Sequence, residues 1–472
     1  MTPEFYSIDI FQRIMSLEES RGRLKDYCYS PEAKGLSLKI KELRHELRKR
    51  PKDQREELQQ QLENLTQQYE EEKKAEITIA YNRVVHGKYH LKLREVEAKG
   101  KKAYAVDDMP SMLISKFIAM EIRNQYQLRP ANRDEVVEEL RVLLDNSMPK
   151  ILIRADIHHF YESIDQHRLL ERIEEDDYLT ATSVRYLRKF FYEYNKLTNN
   201  QKHKGIPRGL SFSPALAEIY LREFDRKVKS INGLYFYKRY VDDIVLLVNP
   251  KKISIDDCWD TIQKIAESLC LTLHDDDDKI VKIQMPMDDE EPLSFNYLGY
   301  QFKYDDGHSE LLLTEEKVKR YCNTIDCVLR AYAKVANHRT KDENGKKHTD
   351  GLMQFMHRID ALTGNGNLDS RRNFVKTGLF YSNRLLTDLS QLEMLDRYLA
   401  DALNDPKRFS PPQNLFNYGE GNNHDDNVNR IRKKILAKYS FRTGFHDRRM
   451  YRWNDYVIVL KQLQNLYYKS LL

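Results

Sequence analysis

The chain alternates between two hydrophobic periods. The strand-like one is clearest over Tyr235–Pro250, Y-F-Y-K-R-Y-V-D-D-I-V-L-L-V-N-P. Aromatic residues precede two adjacent acids, Asp242 and Asp243, and the apolar run Ile244–Val248 follows them. Runs rich in β-branched and aromatic residues read as strands, and Asn249-Pro250 closes the second one. The pattern predicts a β-hairpin with the two acids at its tip. Over Ile151–Ser163, Ile151, Ile153 and Ala155 alternate with Leu152, Arg154 and Asp156, the signature of a strand ending at an acid. Phe295–Phe302 reads as a further hairpin with Gly299 at its bend. Leu271–Leu273 and Ile280–Ile283 suggest short strands around the turn Asp275–Asp278 and Lys279, a solvated turn rather than a cation site.

The helical period dominates elsewhere. Leu216, Tyr220, Phe224 and Val228 recur every four residues and make one apolar face, with Ser213 as the expected N-cap and Pro214 as first helical residue. Helices are also predicted over Met112–Gln127, Arg133–Leu144 (capped by Asn132 or Asp134), Gln166–Asn195 and Cys258–Cys270. From Thr314 on they cover Glu315–Lys334, Leu352–Leu362, Leu385–Leu403, Val428–Lys438 and Asn454–Leu471, with loops at His338–Asp350 and Asp405–Asp426. Near the N-terminus, Leu43, Leu47, Leu58, Leu62 and Leu65 stand among charged residues with Pro51 between them. This reads as two amphipathic helices, in a hairpin, a short coiled coil or a solvated arm. Tyr81–Gly100 is rich in Lys, Arg and His, a phosphate contact or a plain basic face.

Composition adds limits. Charged residues are 32% of the 472, and no run of eighteen apolar residues exists, so no membrane span is expected. The first residues lack the basic-then-apolar pattern of a signal peptide. The five cysteines are scattered, without a CxxC pair or zinc spacing, as expected of free thiols in a reducing cytoplasm. A net charge of +5 permits nucleic-acid binding without arguing for it.

The candidate chemistry lies in the acids. Two neighbouring carboxylates beside apolar strands are costly unless neutralised, and a divalent metal is the natural partner; a solvated Asp-Asp turn is the bland reading. Asp156 at one strand end and Asp242 and Asp243 on a separate hairpin could converge. Two Mg²⁺ ions clamped there, with the Ile157 carbonyl completing the shell, would activate a 3′-hydroxyl and stabilise departing pyrophosphate. Mn²⁺ is the substitute ion. Asp156 and Asp242 are the expected main ligands and Asp243 a supporting one. Arg129 and Arg133, on the loop L-R-P-A-N-R, are triphosphate or template contacts or ordinary surface arginines.

These segments, in this order, resemble a reverse transcriptase. Asp156-Ile-His-His-Phe-Tyr-Glu-Ser-Ile resembles polymerase motif A, Gly205-Ile-Pro-Arg-Gly-Leu-Ser-Phe-Ser-Pro motif B, and Tyr240-Val-Asp-Asp the Y-x-D-D motif C. Leu273–Lys279 resembles motif D, and Phe295–Tyr300 the primer grip, motif E. The match spans about residues 110–305. F-Y-E-S-I, the Arg-Gly-Leu-Ser form of motif B and N-R-D-E-V-V look most like the bacterial abortive-infection and phage-defence enzymes.

The resemblance implies a helix-rich α+β fold. It is a right-hand polymerase of fingers, palm with a small antiparallel sheet, and thumb, with additional N- and C-terminal helices. The expected divisions are 1–110, an N-terminal helical segment with a charged hairpin; 111–308, fingers and palm; and 309–472, thumb and C-terminal extension. It implies an RNA-directed DNA polymerase, a nucleotidyltransferase, acting in cytoplasmic antiviral defence. Its partners would be dNTPs, an RNA template or non-coding RNA, the DNA product, and a second copy or a partner defence protein. Tyr161 matches the aromatic residue that excludes a 2′-hydroxyl. Lys279 matches the motif D lysine that assists pyrophosphate release. Arg208 and Gly209 match nucleotide-binding positions, and Tyr297, Leu298 and Gly299 the primer grip. Arg208 stands where Gln is usual, and the basic fingers motif is not clear, which keeps template-independent synthesis open. Protein-primed synthesis by the same site is also compatible with these residues. So is a non-catalytic RNA-binding assembly subunit that keeps the polymerase fold.

Overall fold

The computed structural model describes all residues except 1–5, 22–23, 52–54, 87–88, 99, 130, 277–278, 286–292, 338–349, 369–374, 410–423, 453–454 and 470–472. The predicted loops His338–Asp350 and Asp405–Asp426 lie mostly outside the described residues, as do Asp277 and Asp278 of the acidic turn. The fold is helix-rich α+β with small antiparallel sheets. Contacts group the chain into two units that do not follow chain order: residues 1–131 with 150–284, and residues 132–149 with 285–472.

The first unit holds β1 (Leu93–Ala98) and β2 (Lys101–Val106), an antiparallel hairpin. It also holds β3 (Lys150–Asp156), β4 (Leu234–Tyr240), β5 (Asp243–Val248) and β6 (Val281–Met285), in the order β4-β5-β3-β6. Every residue of β3 is buried. Ile151, Ile153 and Ala155 join Ile244, Leu246 and Val248 in one core with Phe117, Phe190, Leu216 and Phe224. Burying a Leu, Ile or Phe side chain contributes about 1.5–3 kcal/mol, so this layer anchors the strand ends. The helix Ser213–Lys229 buries Leu216, Tyr220, Phe224 and Val228, the face its period predicts. The charged helices form as expected over Pro31–Lys49 and Glu56–Val85, with Ala33, Ile40 and Tyr69 buried between them.

Several expectations are corrected. Gln166–Asn195 is two helices, Gln166–Asp176 and Ala181–Thr198, because Asp177 takes φ 47° and ends the first. Ser213 is not a cap: it lies inside its helix and donates its hydroxyl to the Pro207 carbonyl at 2.7 Å. Leu385–Leu389 stays outside the following helix, Ser390–Asn404. The basic stretch after Tyr81 is a helix end followed by β1, whose short alternation of apolar and charged residues is masked by charge density.

The second unit contains β7 (Leu293–Tyr297), β8 (Tyr300–Asp305) and β9 (His308–Leu313), in that order. The first two are the predicted hairpin; the third strand has no counterpart in the predicted pattern. Phe295 and Phe302 stack at 4.9 Å with planes 7° apart. The short strands β10 (Asn365–Asn367) and β11 (Lys376–Gly378) pair among helices. Helices Glu315–Asn337, Asp350–Thr363, Ser390–Asn404 and Tyr456–Lys469 enclose Ile325, Val328, Phe355, Ile359, Leu395, Leu399 and Phe409. The helix Arg133–Leu144, capped by Asn132, belongs to this unit and packs beside β9. Among the described residues no helix is long and apolar enough to cross a membrane.

Candidate active site

The site begins with strand register. β5 lies between β3 and β4, and the antiparallel pairing sets Asp243 opposite Asp156 on one side and Tyr240 on the other. The acids of two distant segments thus meet at one end of the sheet. Val241, the first turn residue, has φ 60°. The left-handed region costs an ordinary residue about 1–2 kcal/mol and is rare for a β-branched one. Backbone held in this way concentrates where side chains must be aimed. Behind the turn, the Ile157 amide donates to the Asp242 carbonyl at 3.3 Å, and the His274 amide to the Asp156 carbonyl at 2.8 Å.

The electrostatics follow from the crowding. Burial, then the charge of Asp156, raises the pKa of Asp242; Lys279 and Arg208 oppose the shift. Burial and Asp156 also raise that of Asp243, against Arg154. Like charges this close disfavour ionisation unless a cation relieves them. Besides Arg208, the protein sets two cations against these acids. Lys279 Nζ stands 2.9 Å from Asp156 Oδ2, and this bond raises its own pKa. The Arg154 guanidinium, 9% exposed, reaches Asp243 Oδ1 at 3.4 Å. Among the described residues no three His, Cys, Asp or Glu side chains are grouped to hold a metal ion. The donor chemistry nevertheless fits a hard divalent cation: every candidate ligand is an oxygen, and the carboxylates strain against their own ionisation.

Tyr161 stands in the short helix Phe160–Ser163, close enough to Asp242 to feel its charge, and burial raises its pKa. The Arg208 guanidinium lies 5.3 Å from its ring centre and pairs with Glu162 at 3.2 Å. The backbone around Arg208 is fixed as well: its carbonyl accepts from the Tyr104 amide at 2.7 Å. Gly209 follows at φ 101°, and a Cβ there would stand 2.8 Å from the Tyr104 carbonyl oxygen, so only glycine fits against β2.

The structure therefore brings Asp156, Ile157, Tyr161, Arg208, Gly209, Asp242, Asp243 and Lys279 together in the first unit. Arg129 lines a neighbouring cleft of about 380 Å³ with Tyr240 and Val241. Arg133 and the turn Tyr297–Gly299 form a separate cluster in the second unit. Arg133 Nε donates to the Leu298 carbonyl at 2.7 Å, and its guanidinium lies 4.7 Å from the Tyr300 ring centre. Lys317 Nζ packs on the same ring at 5.2 Å and donates to Asn383 Oδ1 at 2.7 Å. Burial, then Arg133 and Arg320, lowers the Lys317 pKa to about 7. A Cβ on Gly299 would stand 3.3 Å from both Arg133 Nη2 and Lys317 Nζ, so two cations converge over a glycine.

Sequence reasoning missed Arg154 and Lys317. Arg154 had a signal, since it stands two residues before Asp156 on a strand and so shares its face. Lys317 had none: its neighbours come from three distant segments.

Residues 88–302 match the family described as reverse transcriptase (RNA-dependent DNA polymerase). Residues 88–302, under half of the chain, are thus similar to a reverse transcriptase domain, whose family is described by RNA-dependent DNA polymerase activity and generally uses divalent metals. No curated protein matches the sequence. Similar solved structures include telomerase from Candida albicans with a fragment of telomeric RNA, at 12% identity and TM-score 0.34, covering 75% of this chain and 54% of that one. Another is apo telomerase from Candida tropicalis, at 10% identity and TM-score 0.34, covering 81% and 65%. The chain thus spans about half to two-thirds of the length of these telomerases. Likenesses this low decide nothing further.

Proposed function

We propose that the protein is a two-metal reverse transcriptase whose centre is Asp156, Asp242 and Asp243. The observation that carries this reading is the register Asp156↔Asp243, which sets acids from two segments side by side at one sheet end. Asp156, Asp242 and the Ile157 carbonyl would hold Mg²⁺, with Asp243 supporting and Mn²⁺ as substitute. Bound there, the ions supply activation of a 3′-hydroxyl and charge stabilisation at the leaving pyrophosphate.

The chain's own residues do the rest. Tyr161, held by Arg208 and its neighbour Glu162, presents a ring that clashes with a 2′-hydroxyl and selects dNTPs. Gly209 lets the loop pass close to β2 and fixes Arg208 beside the nucleotide. Lys279 pairs with Asp156 at 2.9 Å and, released from it, would be placed to meet the pyrophosphate charge. Arg129 extends the nucleotide path. Arg133 and the turn Tyr297–Leu298–Gly299 grip the primer strand through a phosphate.

On this reading residues 111–308 are fingers and palm and 309–472 the thumb with its extension, in a right-hand layout. RNA is the template and DNA the product. The antiphage role, and a cytoplasmic location with it, rests on the resemblance of motifs A and B to phage-defence enzymes.

Purified protein with a primed RNA template, dNTPs and Mg²⁺ tests the core. Asp242→Ala and Asp243→Ala should cut incorporation by about 10³-fold or more, and also abolish protection in a phage challenge. Undiminished incorporation by the variants would remove these aspartates as the centre, and wild-type protein that binds RNA but incorporates nothing would leave only a non-catalytic RNA-binding role. Incorporation that continues without any template would establish template-independent synthesis.

A further inference from the structure

Asp242 stands on a turn whose first residue is in the left-handed region, and something must hold that conformation. Arg239, three residues earlier on β4, is placed to do so. Its side chain is 6% exposed. Nη1 donates to the Val241 carbonyl at 2.8 Å. The rest of the guanidinium is pinned from the helix Ser213–Lys229: Nε to Asp225 Oδ1 at 2.9 Å, Nη2 to Asp225 Oδ2 at 2.9 Å, Nη2 to Glu218 Oε2 at 2.7 Å and Nη1 to Glu218 Oε1 at 3.2 Å. Tyr237, two residues back on the same strand face, donates its hydroxyl to Asp225 at 2.6 Å. Glu218 and Asp225 are seven apart, two helical turns, and so lie on one face. The helix that forms the core on one side thus carries a carboxylate clamp on another.

We infer that Arg239 is a positioning residue for Asp242: pinned by Glu218 and Asp225, it holds the Val241 carbonyl and so fixes the strained turn that aims the carboxylate. A planar guanidinium saturates both carboxylates and still reaches the carbonyl; a lysine has neither the fork nor the reach. Burial opposes the charge of Arg239, but Asp225 and Glu218 outweigh it and raise its pKa, so the clamp stays charged at any working pH. Two acids neutralise the cation locally, and its remaining role at the turn is geometric rather than electrostatic.

The inference rests on the metal-centre reading, and one experiment separates the two. Wild type, Arg239→Lys, Arg239→Gln and Glu218→Gln are compared by calorimetric titration of Mn²⁺ into metal-free protein, by dNTP incorporation at varied Mg²⁺, and by amide exchange at residues 241–243. Glu218→Gln changes a half-exposed group and keeps the fold testable should Arg239 variants fail. Supporting residues of this kind are worth about 10- to 100-fold in metal affinity or activity. We expect the Arg239 variants to weaken Mn²⁺ by that range, to lower kcat with the KM for dNTP unchanged, and to speed exchange at the turn but not in the middle of β5. Glu218→Gln should do the same to a smaller extent, severalfold. Variants that only lose thermal stability, with metal affinity and kcat unaltered, overturn the clamp and leave the metal centre standing. A wild-type protein that neither binds Mn²⁺ nor incorporates dNTPs overturns the metal centre, and the clamp with it.

Discussion

Two hairpin turns in this protein trap charge of opposite sign. At Val241–Asp242, three carboxylates crowd one sheet end, and burial with mutual repulsion raises the pKa of Asp242 and Asp243. At Leu298–Gly299, Arg133 and Lys317 converge, and burial with neighbouring arginines lowers Lys317 to about 7. Both turns use positive φ, at Val241 in one and at Leu298 and Gly299 in the other. The difference lies in what they lack. The first has more negative charge than Lys279 and Arg154 relieve, and suits a divalent cation. The second has cations facing an amide and an aromatic ring, with Asp134, 3.7 Å from Arg133, shared with Arg384, and suits a phosphate. On the proposed function, each turn is half of an ionic contact whose other half comes with the metal or the substrate.

The largest effect that sharpens this contrast is in sugar selection beside the acidic turn. Tyr161→Ala should relax the preference for dNTPs over rNTPs by about 10- to 200-fold, the range for a steric pocket contact. Ratios of kcat/KM for matched dNTP and rNTP measure it, and an unchanged ratio would remove Tyr161 from the gate. At the basic turn the effect is smaller and different in kind. Arg133→Ala should lower the slope of log K against log salt for a primer duplex by about 1 and weaken binding without changing dNTP preference.

The smallest effect is on stability, and here the two turns respond to pH in opposite senses. A carboxylate raised in the folded state binds its proton there first, so the metal-free protein gains stability as pH falls from neutrality through the raised values. A lysine lowered to about 7 is a cation below that pH and loses its proton in the folded state above it, while the unfolded chain keeps its proton, so stability rises as pH climbs from about 7 toward the ordinary lysine range. Asp242→Asn should flatten the acid side of a Tm-against-pH curve, and Lys317→Met the alkaline side. Each should change Tm by a few degrees. A curve untouched by both substitutions would mean that neither turn holds unrelieved charge.

Much of the fold was legible residue by residue. The Tyr235–Pro250 hairpin, the strand ending in Asp156, the four-residue period of Leu216–Val228 and the hairpin bend at Gly299 all appear where the sequence puts them. The helix break at Asp177 and the strands β1, β2 and β9 did not, because charged residues mask a short alternation and a single left-handed residue leaves no period. Arg208 reads in sequence as a nucleotide-binding position occupied by a cation where Gln is usual. In the structure it is held by Glu162 and the Tyr161 ring, contacts that only the fold creates.

The sequence by itself determined the local chemistry: where the acid-bearing strands run, where their acids stand, and that Gly299 bends a hairpin. Those properties depend on residues a few positions apart. The tertiary structure alone decided that Asp156 faces Asp243, that Arg239 meets Glu218 and Asp225, and that Arg133–Leu144 joins the second unit although β3 follows it directly. The reason is physical. Register, ion-pair choice and the allegiance of a helix are settled by burial between segments far apart in the chain, and no local period encodes which distant partner will cover a given face.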